Sequence, residues 1–227
     1  MVAGGMAVRG HESESICASA RSTPTRGVCQ GSSGEMRPWI VRRYDRPVVV
    51  PEAPLERNEH GLAPAGEGWF VLNAREARWV RDERSACSEF EGEPEFEKIG
   101  IFLRVISPGG TMGMYHWEAD QEGFLVLSGE ALLIVEGEER PLRRWDFFHC
   151  PPGTEHTIVG AGDGPCVVLA VGSREHQRGS NWGAYSVDET ALRHGAGVEA
   201  ETTDRAEAYA RAPKAEWSSH LDGWLPG

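Results

Sequence analysis

Between residues 98 and 172, short apolar segments follow one another at spacings of roughly ten residues, and each ends near glycine, proline or aspartate. The segments are 99–106, 123–129, 130–137, 145–151, 156–160 and 166–172. A "GEE" turn is expected after the third of them. Short apolar runs separated by regular turn signals are typical of antiparallel strands, so this part of the chain is predicted to form an all-β sandwich or barrel.

The chain before the predicted barrel divides into two regions. Residues 1–35 are small, polar and glycine-rich without sustained periodicity, so they are predicted to form a disordered arm. For the same reason Met36 is an alternative to Met1 as the true start. Residues 36–97 alternate proline with short apolar pieces, which predicts an extended arm and leading strands that pack on another surface, such as a partner subunit.

Two stretches just ahead of the barrel have their own patterns. Residues 69–80 predict a short strand and then a turn or a helix capped at Asn73. Residues 85–97 are rich in glutamate and are interpreted as an acidic loop, of which residues 88–97 are expected to form a solvated face.

After the predicted barrel (98–172), the pattern becomes helical. Within residues 173–227, one helix is expected to begin at Asp188 and another at Asp204, because aspartate is a favoured N-cap. The last residues, from Glu216 onwards, are interpreted as irregular.

Charge and cysteine content exclude several classes of protein. The net charge is −12 and no basic face is evident, so neither nucleic acid nor an anionic membrane surface is an expected partner. No apolar run approaches the length of a membrane-spanning helix. The chain has five cysteines, an odd number, and no CxxC pair. This pattern indicates reduced thiols and a cytoplasmic location.

Residues 114–129 read "MYHWEADQEGFLVLSG" and place a histidine and two glutamates close together. On a strand, residues two apart point to the same face, so His116 and Glu118 would point the same way. After a short loop, Glu122 can return to that face, and His156 follows a Pro-Pro-Gly turn. Two imidazoles and one or two carboxylates that converge inside a barrel are sufficient to bind a divalent metal with open coordination positions.

The spacing of these residues resembles the two motifs of the cupin superfamily, G-x5-H-x-H-x3-4-E-x6-G and G-x5-P-x-G-x2-H-x3-N. The matching positions are Gly110, His116, Glu122, Gly129, Pro151, Gly153 and His156. Three positions depart from the motifs. Glu118 replaces the second histidine of the first motif, Trp145 replaces the first glycine of the second motif, and Gly160 replaces the asparagine of the second motif. The resemblance covers about residues 98–172 and implies a cupin-type β-barrel (a double-stranded β-helix or jelly roll).

The same resemblance implies a set of metal ligands. They would be His116, Glu122 and His156, with Glu118 at the fourth position. A carboxylate in place of an imidazole favours Fe, Mn or Zn over Cu. Alternatively, Glu118 is a catalytic proton acceptor or an exposed residue at the rim, and a barrel that has lost its metal is also compatible with these residues.

Other reactive residues near the motifs are interpreted as structural. His149 matches no motif position, and the alternative for it is a functional group that lines the pocket. No motif places a general base next to Cys150 or Cys166. Buried cysteines commonly act as small core residues.

The resemblance implies one divalent metal and a small organic substrate or ligand. Dioxygenase-type oxidation and isomerase or lyase chemistry both suit such a site. The alternative is a non-catalytic cupin that binds a small ligand or a sugar. Lysine is nearly absent, which weakens a sugar-phosphate isomerase reading, although Arg104, Arg143 and Arg144 could bind a phosphate.

Tryptophans outside the predicted barrel indicate that the extensions cover an apolar surface. They are Trp39, Trp69, Trp79, Trp182, Trp217 and Trp224. Because cupins often dimerise by exchanging strands or arms, subunit packing is the simplest explanation, and a homodimer is expected.

Overall fold

The structure is a computed structural model, and it describes residues 49–93, 95–177 and 179–227. The predicted disordered arm (1–35), Met36 and the first part of the extended arm lie outside the described residues. The strands are β1 (Leu55–Asn58), β2 (Gly61–Pro64), β3 (Arg78–Arg81), β4 (Ser85–Glu89), β5 (Ile99–Ile106), β6 (His116–Glu118), β7 (Glu122–Ser128), β8 (Glu130–Val135), β9 (Glu138–Arg143), β10 (Phe147–Cys150), β11 (His156–Ala161), β12 (Cys166–Ser173), β13 (Gly183–Tyr185) and β14 (Glu216–Ser218). The helices in these ranges are α1 (Glu189–Arg193) and α2 (Arg205–Ala208).

Two antiparallel sheets form the barrel. The larger has the order β10-β7-β12-β5-β4-β3-β14, and the smaller has the order β13-β6-β11-β8-β9. Their apolar inner faces meet in one cluster that includes Phe102 and Phe124 from the larger sheet and Leu133 and Ile158 from the smaller. Alternating burial along β7 places every second residue in this core, as expected for a half-buried strand. The all-β prediction is confirmed, and each of the six predicted segments contains a strand.

The turn after β8 comes earlier than predicted. Glu136 and Gly137 both have positive φ, and Val135 pairs directly with Glu138. A two-residue hairpin turn with positive φ at both positions matches the twist of the flanking strands. The "GEE" turn prediction is therefore wrong in position, because the glutamates begin β9. This strand is almost wholly exposed, so its sequence carries no apolar alternation.

The acidic loop predicted for 85–97 is wrong over its first part. Ser85–Glu89 is strand β4, which pairs with β3 and β5 and is buried over four of its five residues. The prediction of a solvated face is also wrong at Glu91. Its carboxylate accepts two hydrogen bonds from Arg174, at 2.6 and 2.8 Å. Both side chains are largely buried, because the ion pair compensates each charge.

The stretch before β3 forms a turn and no helix. The side chain of Asn73 accepts a hydrogen bond from the Arg75 amide at 2.9 Å, which closes a local turn. Trp69 makes only a single bridge to Glu52, so the short strand expected at the start of 69–80 is wrong, and the strand of this stretch is β3.

The C-terminal residues contain the two predicted helices and one unpredicted strand. Asp188 and Asp204 both accept hydrogen bonds from backbone amides of α1 and α2, as N-caps do. The prediction of an irregular C-terminus is wrong over Glu216–Ser218, because these residues form β14, which pairs with β3 at the edge of the larger sheet. Neither helix is long and apolar enough to cross a membrane, and the described residues contain no other.

Four tryptophans of the extensions pack within their own chain, whereas Trp69 remains half exposed. Trp79 is fully buried, and its ring centroid lies 5.1 Å from that of Trp224. Trp182 packs against Tyr185 at 5.2 Å, and Trp217 lies beneath Arg78. These rings therefore cover surfaces of the same subunit and do not by themselves call for a partner; Trp39 lies outside the described residues.

Candidate metal centre

His116 and His156 lie directly opposite each other in the smaller sheet. They are register partners of β6 and β11, and their ring centroids are 4.9 Å apart. On β6, His116 and Glu118 are buried and Trp117 between them is not, which confirms that the first two share a face. Glu122 begins β7 in the larger sheet, so the candidate residues come from both sheets and meet inside the barrel.

Backbone carbonyls orient both imidazoles. Nδ1 of His116 lies 2.7 Å from the Met114 carbonyl, and Nδ1 of His156 lies 3.1 Å from the Thr154 carbonyl. A carbonyl oxygen only accepts hydrogen bonds, so each Nδ1 carries the proton and donates it. Each Nε2 is then left with a lone pair, which is the tautomer that a metal-binding histidine requires.

Each Nε2 faces one glutamate. Oε1 of Glu118 lies 3.4 Å from Nε2 of His116, and Oε2 of Glu122 lies 3.4 Å from Nε2 of His156. Both carboxylates are buried. Two negative groups at this depth among apolar side chains are unfavourable unless a cation or strong hydrogen bonds compensate them.

Three of the four residues could bind one ion together. Donor atoms of His116, Glu122 and His156 all lie within 4.8 Å of one another. Such distances allow one ion between them, since metal–ligand bonds to imidazole and carboxylate are about 2.0–2.2 Å. Glu118 is not part of this group of three, although it contacts His116.

Burial keeps the second imidazole neutral. It lowers the pKa of His156 to about 3, with a further decrease from the neighbouring His116 and a smaller opposing effect of the Thr154 carbonyl. A neutral imidazole has a lone pair available at physiological pH.

Cys150 lies at the edge of this group, and its sulfur is 3.4 Å from Nδ1 of His156. Burial, followed by the charges of Glu122 and Glu118, raises the pKa of the Cys150 thiol far above its ordinary value. The thiol therefore stays protonated and acts as a core residue. Cys166 is also buried, which raises its pKa to about 11. Cys87, Cys150 and Cys166 form no disulfide with one another.

The four candidate residues line a small cavity of about 30 Å³, enough for an ion and a water molecule. Phe124 stands in its wall, with its ring 5.2 Å from that of His156. Met112, Gly113 and Arg104 also line it, and these three are shared with a second cavity of about 520 Å³.

Not every candidate side chain faces these cavities. Arg143 is exposed, and Arg144 lies over the Trp145 ring. Of the three arginines considered for phosphate binding, only Arg104 lines either cavity. His149 is exposed on β10 and lines neither of these cavities.

Two contacts to the motif region, made by Tyr185 on β13 and by His176 after β12, were not predicted from the sequence. The ring of Tyr185 on β13 lies 5.8 Å from that of His116. Asp120 lies between Glu118 and Glu122 in the sequence, and its side chain is buried. It accepts hydrogen bonds from the backbone amide and from Nδ1 of His176, at 2.9 and 2.8 Å. Only the position of Asp120 between Glu118 and Glu122 was a local signal for this contact.

The fold and the site together define a two-sheet antiparallel β-barrel with a possible metal centre in its interior. Residues 102–172 match the family described as the cupin domain. This part of the chain is a cupin domain.

Known proteins resemble parts of this chain. An oxalate-binding protein of Thermotoga maritima is 28% identical over 80 residues, which are 35% of this chain and 66% of that protein. A solved sugar phosphate isomerase of the cupin superfamily from Silicibacter pomeroyi is 23% identical, with a TM-score of 0.38 over 40% of this chain and 60% of that one. A polyketide cyclase of Streptomyces resistomycificus is 17% identical, with a TM-score of 0.41 over 45% of this chain and 78% of that one. The chain spans less than two thirds of the length of the first two proteins.

Proposed function

We propose that this cupin binds one divalent metal through His116, Glu122 and His156 and acts on a small organic substrate. The observation that carries the proposal is the convergence of these three donors within 4.8 Å, with both Nδ1 protons held by carbonyls. The set fits a metal because it combines two neutral imidazoles with one carboxylate, and it leaves coordination positions for a substrate. Iron, manganese or zinc suits these nitrogen and oxygen donors.

A metal bound there would supply Lewis acidity and open coordination positions. The residues of the chain would do the rest. The carbonyls of Met114 and Thr154 fix the two imidazoles, while Phe124 gives the cavity an apolar wall. Glu118, buried beside His116 but outside the group of three, is placed to accept a proton from a substrate or to add a fourth ligand.

Two reaction classes suit this arrangement. Oxidation by dioxygen needs a redox metal and two adjacent open positions. Isomerase or lyase chemistry needs a polarised carbonyl and a base, and the position of Glu118 favours this second class.

A second candidate function is non-catalytic binding of a small ligand. The similarity to an oxalate-binding protein supports it, as does the small volume beside the four candidate residues. Metal identity separates the candidates: iron would favour oxidation, manganese or zinc an isomerase or lyase, and absence of metal a binding module.

Metal analysis of the purified protein tests the proposal. We expect about one transition metal per chain, because the three donors can surround a single ion. His156→Ala should lose most of that metal and keep its fold. His149→Ala, on the exposed face of β10, is the matched control and should keep full occupancy. Wild-type protein that neither carries nor takes up metal, or full occupancy in His156→Ala, would overturn the ligand assignment.

We also propose a homodimer in a reducing, cytoplasmic compartment. Apolar side chains that remain exposed, among them Trp69, Trp145 and Phe147, supply surface for subunit contact. Light scattering on the full chain tests the dimer, and a monomeric mass at micromolar concentration would contradict it.

A further inference from the structure

Arg104 stands at the boundary between the small cavity and the larger one. It lies on β5 and lines both cavities, together with Met112 and Gly113. Its Nε is buried and has no hydrogen-bond partner, and none of the ion pairs found among the described residues includes Arg104. Among the described residues, its guanidinium group contacts the ring of Phe102, at 5.5 Å.

An arginine in this state is unfavourable for the folded protein. Burying part of a guanidinium without a carboxylate removes hydration without compensation. Beside the same sheet, the buried guanidinium of Arg174 is compensated by an ion pair with Glu91. The position of Arg104 therefore points to an anion that comes from outside the chain.

The larger cavity lies between the barrel and a C-terminal wall. Strands β3, β4 and β5 supply one side, and residues 205–217 supply the other. Tyr209 joins the two sides, because its hydroxyl accepts a hydrogen bond from the Met114 amide at 3.1 Å. The volume of about 520 Å³ is within the usual range for small-molecule sites.

The lining of this cavity suits an anion with an apolar body. Three arginines line it, Arg84, Arg104 and Arg205, against two acidic side chains. One of the two, Glu216, is already paired with Arg81 at 3.2 Å. This excess of positive charge stands out in a chain of net charge −12. Apolar and aromatic side chains complete the wall, and they include Met112, Met114, Tyr209 and Trp217.

We propose that the ligand of this cupin is an organic carboxylate, with its carboxylate on Arg104 and its apolar body in the larger cavity under residues 205–217. This inference rests on the proposed function. The guanidinium fork matches a carboxylate in geometry and charge. Because Arg104 also borders the small cavity, the atoms next to the carboxylate would be the ones nearest to the metal.

Charge favours a carboxylate over a phosphate. The small cavity already contains the buried carboxylates of Glu118 and Glu122. A single guanidinium can neutralise one carboxylate, whereas a phosphate dianion would leave excess negative charge beside these two groups.

Calorimetric titration of the full-length, metal-loaded protein tests the inference. The probes are phenylacetate, its neutral analogue phenylacetamide, and inorganic phosphate. We expect phenylacetate to bind at least tenfold more tightly than either of the other two. Arg104→Gln should weaken phenylacetate binding at least tenfold, and the matched control Arg143→Gln, which alters an exposed arginine on β9, should change it less than twofold.

A second variant covers the case in which Arg104→Gln does not fold. Arg104→Met has a similar length and no charge. Because the charge has no ion-pair partner among the described residues, we expect this variant to melt at a higher temperature than wild type and to bind phenylacetate at least tenfold more weakly. A lower melting temperature together with wild-type affinity would overturn the inference.

The outcomes separate this inference from the metal proposal. Arg104 is not in the proposed ligand set, so both Arg104 variants should keep the metal content of wild type. If metal is present but phenylacetate does not bind, or binds Arg104→Gln as well as wild type, the carboxylate inference fails and the metal proposal stands. If no metal is found but binding depends on Arg104, the metal proposal fails and the carboxylate inference stands.

Discussion

His116 and His156 are register partners on neighbouring strands, with ring centroids 4.9 Å apart. Strand pairing fixes this separation, so no loop has to close to bring the two imidazoles together. Each ring is also held from behind by a carbonyl two residues earlier in its own chain segment. The nitrogen donors of the proposed site are thus positioned by backbone geometry before any ion binds.

The two glutamates should differ in their effect on metal affinity. Glu122→Gln removes the carboxylate of the three-donor group and should weaken metal binding by roughly 100-fold or more, whereas Glu118→Gln should weaken it by only about tenfold, the scale of a supporting contact. Competition with a chelator of known affinity measures both. Equal losses in the two variants would make Glu118 a full ligand and remove the argument for its role as a base.

Gly160 stands where the second cupin motif has asparagine, and the structure explains the departure. A Cβ at Gly160 would lie 2.2 Å from the Ser107 carbonyl oxygen. Gly160→Asn, which restores the motif, should therefore destabilise the protein by about 2 kcal/mol. Denaturant unfolding measures the change. Gly164→Ala is the control, because nothing lies within 4 Å of its Cβ position, and an equal loss in that variant would refute the steric argument.

Trp145 is the opposite case, a motif glycine replaced by a bulky residue. Its φ is +76°, a conformation that costs a non-glycine residue about 1–2 kcal/mol. The ring is mostly exposed, so little packing offsets this strain. Trp145→Gly should stabilise the protein by roughly 0.5–1 kcal/mol after the entropy cost of glycine is subtracted. A destabilised variant in the same unfolding assay would show that the contact between Arg144 and the Trp145 ring matters more than the strain.

The C-terminal residues should become less firmly attached in acid. Burial lowers the pKa of His220 below its ordinary value of 6.5, Arg75 lowers it further, and Asp222 partly opposes both. In the unfolded chain His220 takes up its proton first. Its contribution to stability is therefore present above about pH 6.5 and is lost as the pH falls through the folded-state pKa.

Melting curves at pH 7.5 and pH 5 measure this effect through the fluorescence of Trp79 and Trp224, which pack on His220. His220→Gln, which cannot titrate, should show a smaller drop than wild type. A drop of the same size in both proteins would assign the pH dependence to other groups.

The barrel strands and the donor group could be predicted because local patterns encode them. Short apolar runs bounded by turn residues mark β5, β7 and β12, and the spacing of His116, Glu122 and His156 is visible in the linear sequence. Glu118 occupies a motif position, yet its relation to the group of three depends on side-chain placement that no spacing specifies.

Other parts of the fold had no such local signal. Strand β9 is exposed on nearly every residue, and β14 is three residues long and pairs with a strand more than a hundred positions earlier. The larger cavity could not be predicted for the same reason. One of its walls is residues 205–217, which meet the barrel only through long-range contacts such as that of Tyr209 with Met114.

The separation of these two walls along the chain has a consequence for how such a protein can change. The donors of the proposed metal site are complete by residue 156, whereas the outer wall of the larger cavity is contributed by residues 205–217. Substitutions in that late segment can reshape which molecules are admitted while the chemistry in the barrel is preserved. New ligand preferences are therefore accessible through a short stretch of sequence that carries little of the folding core.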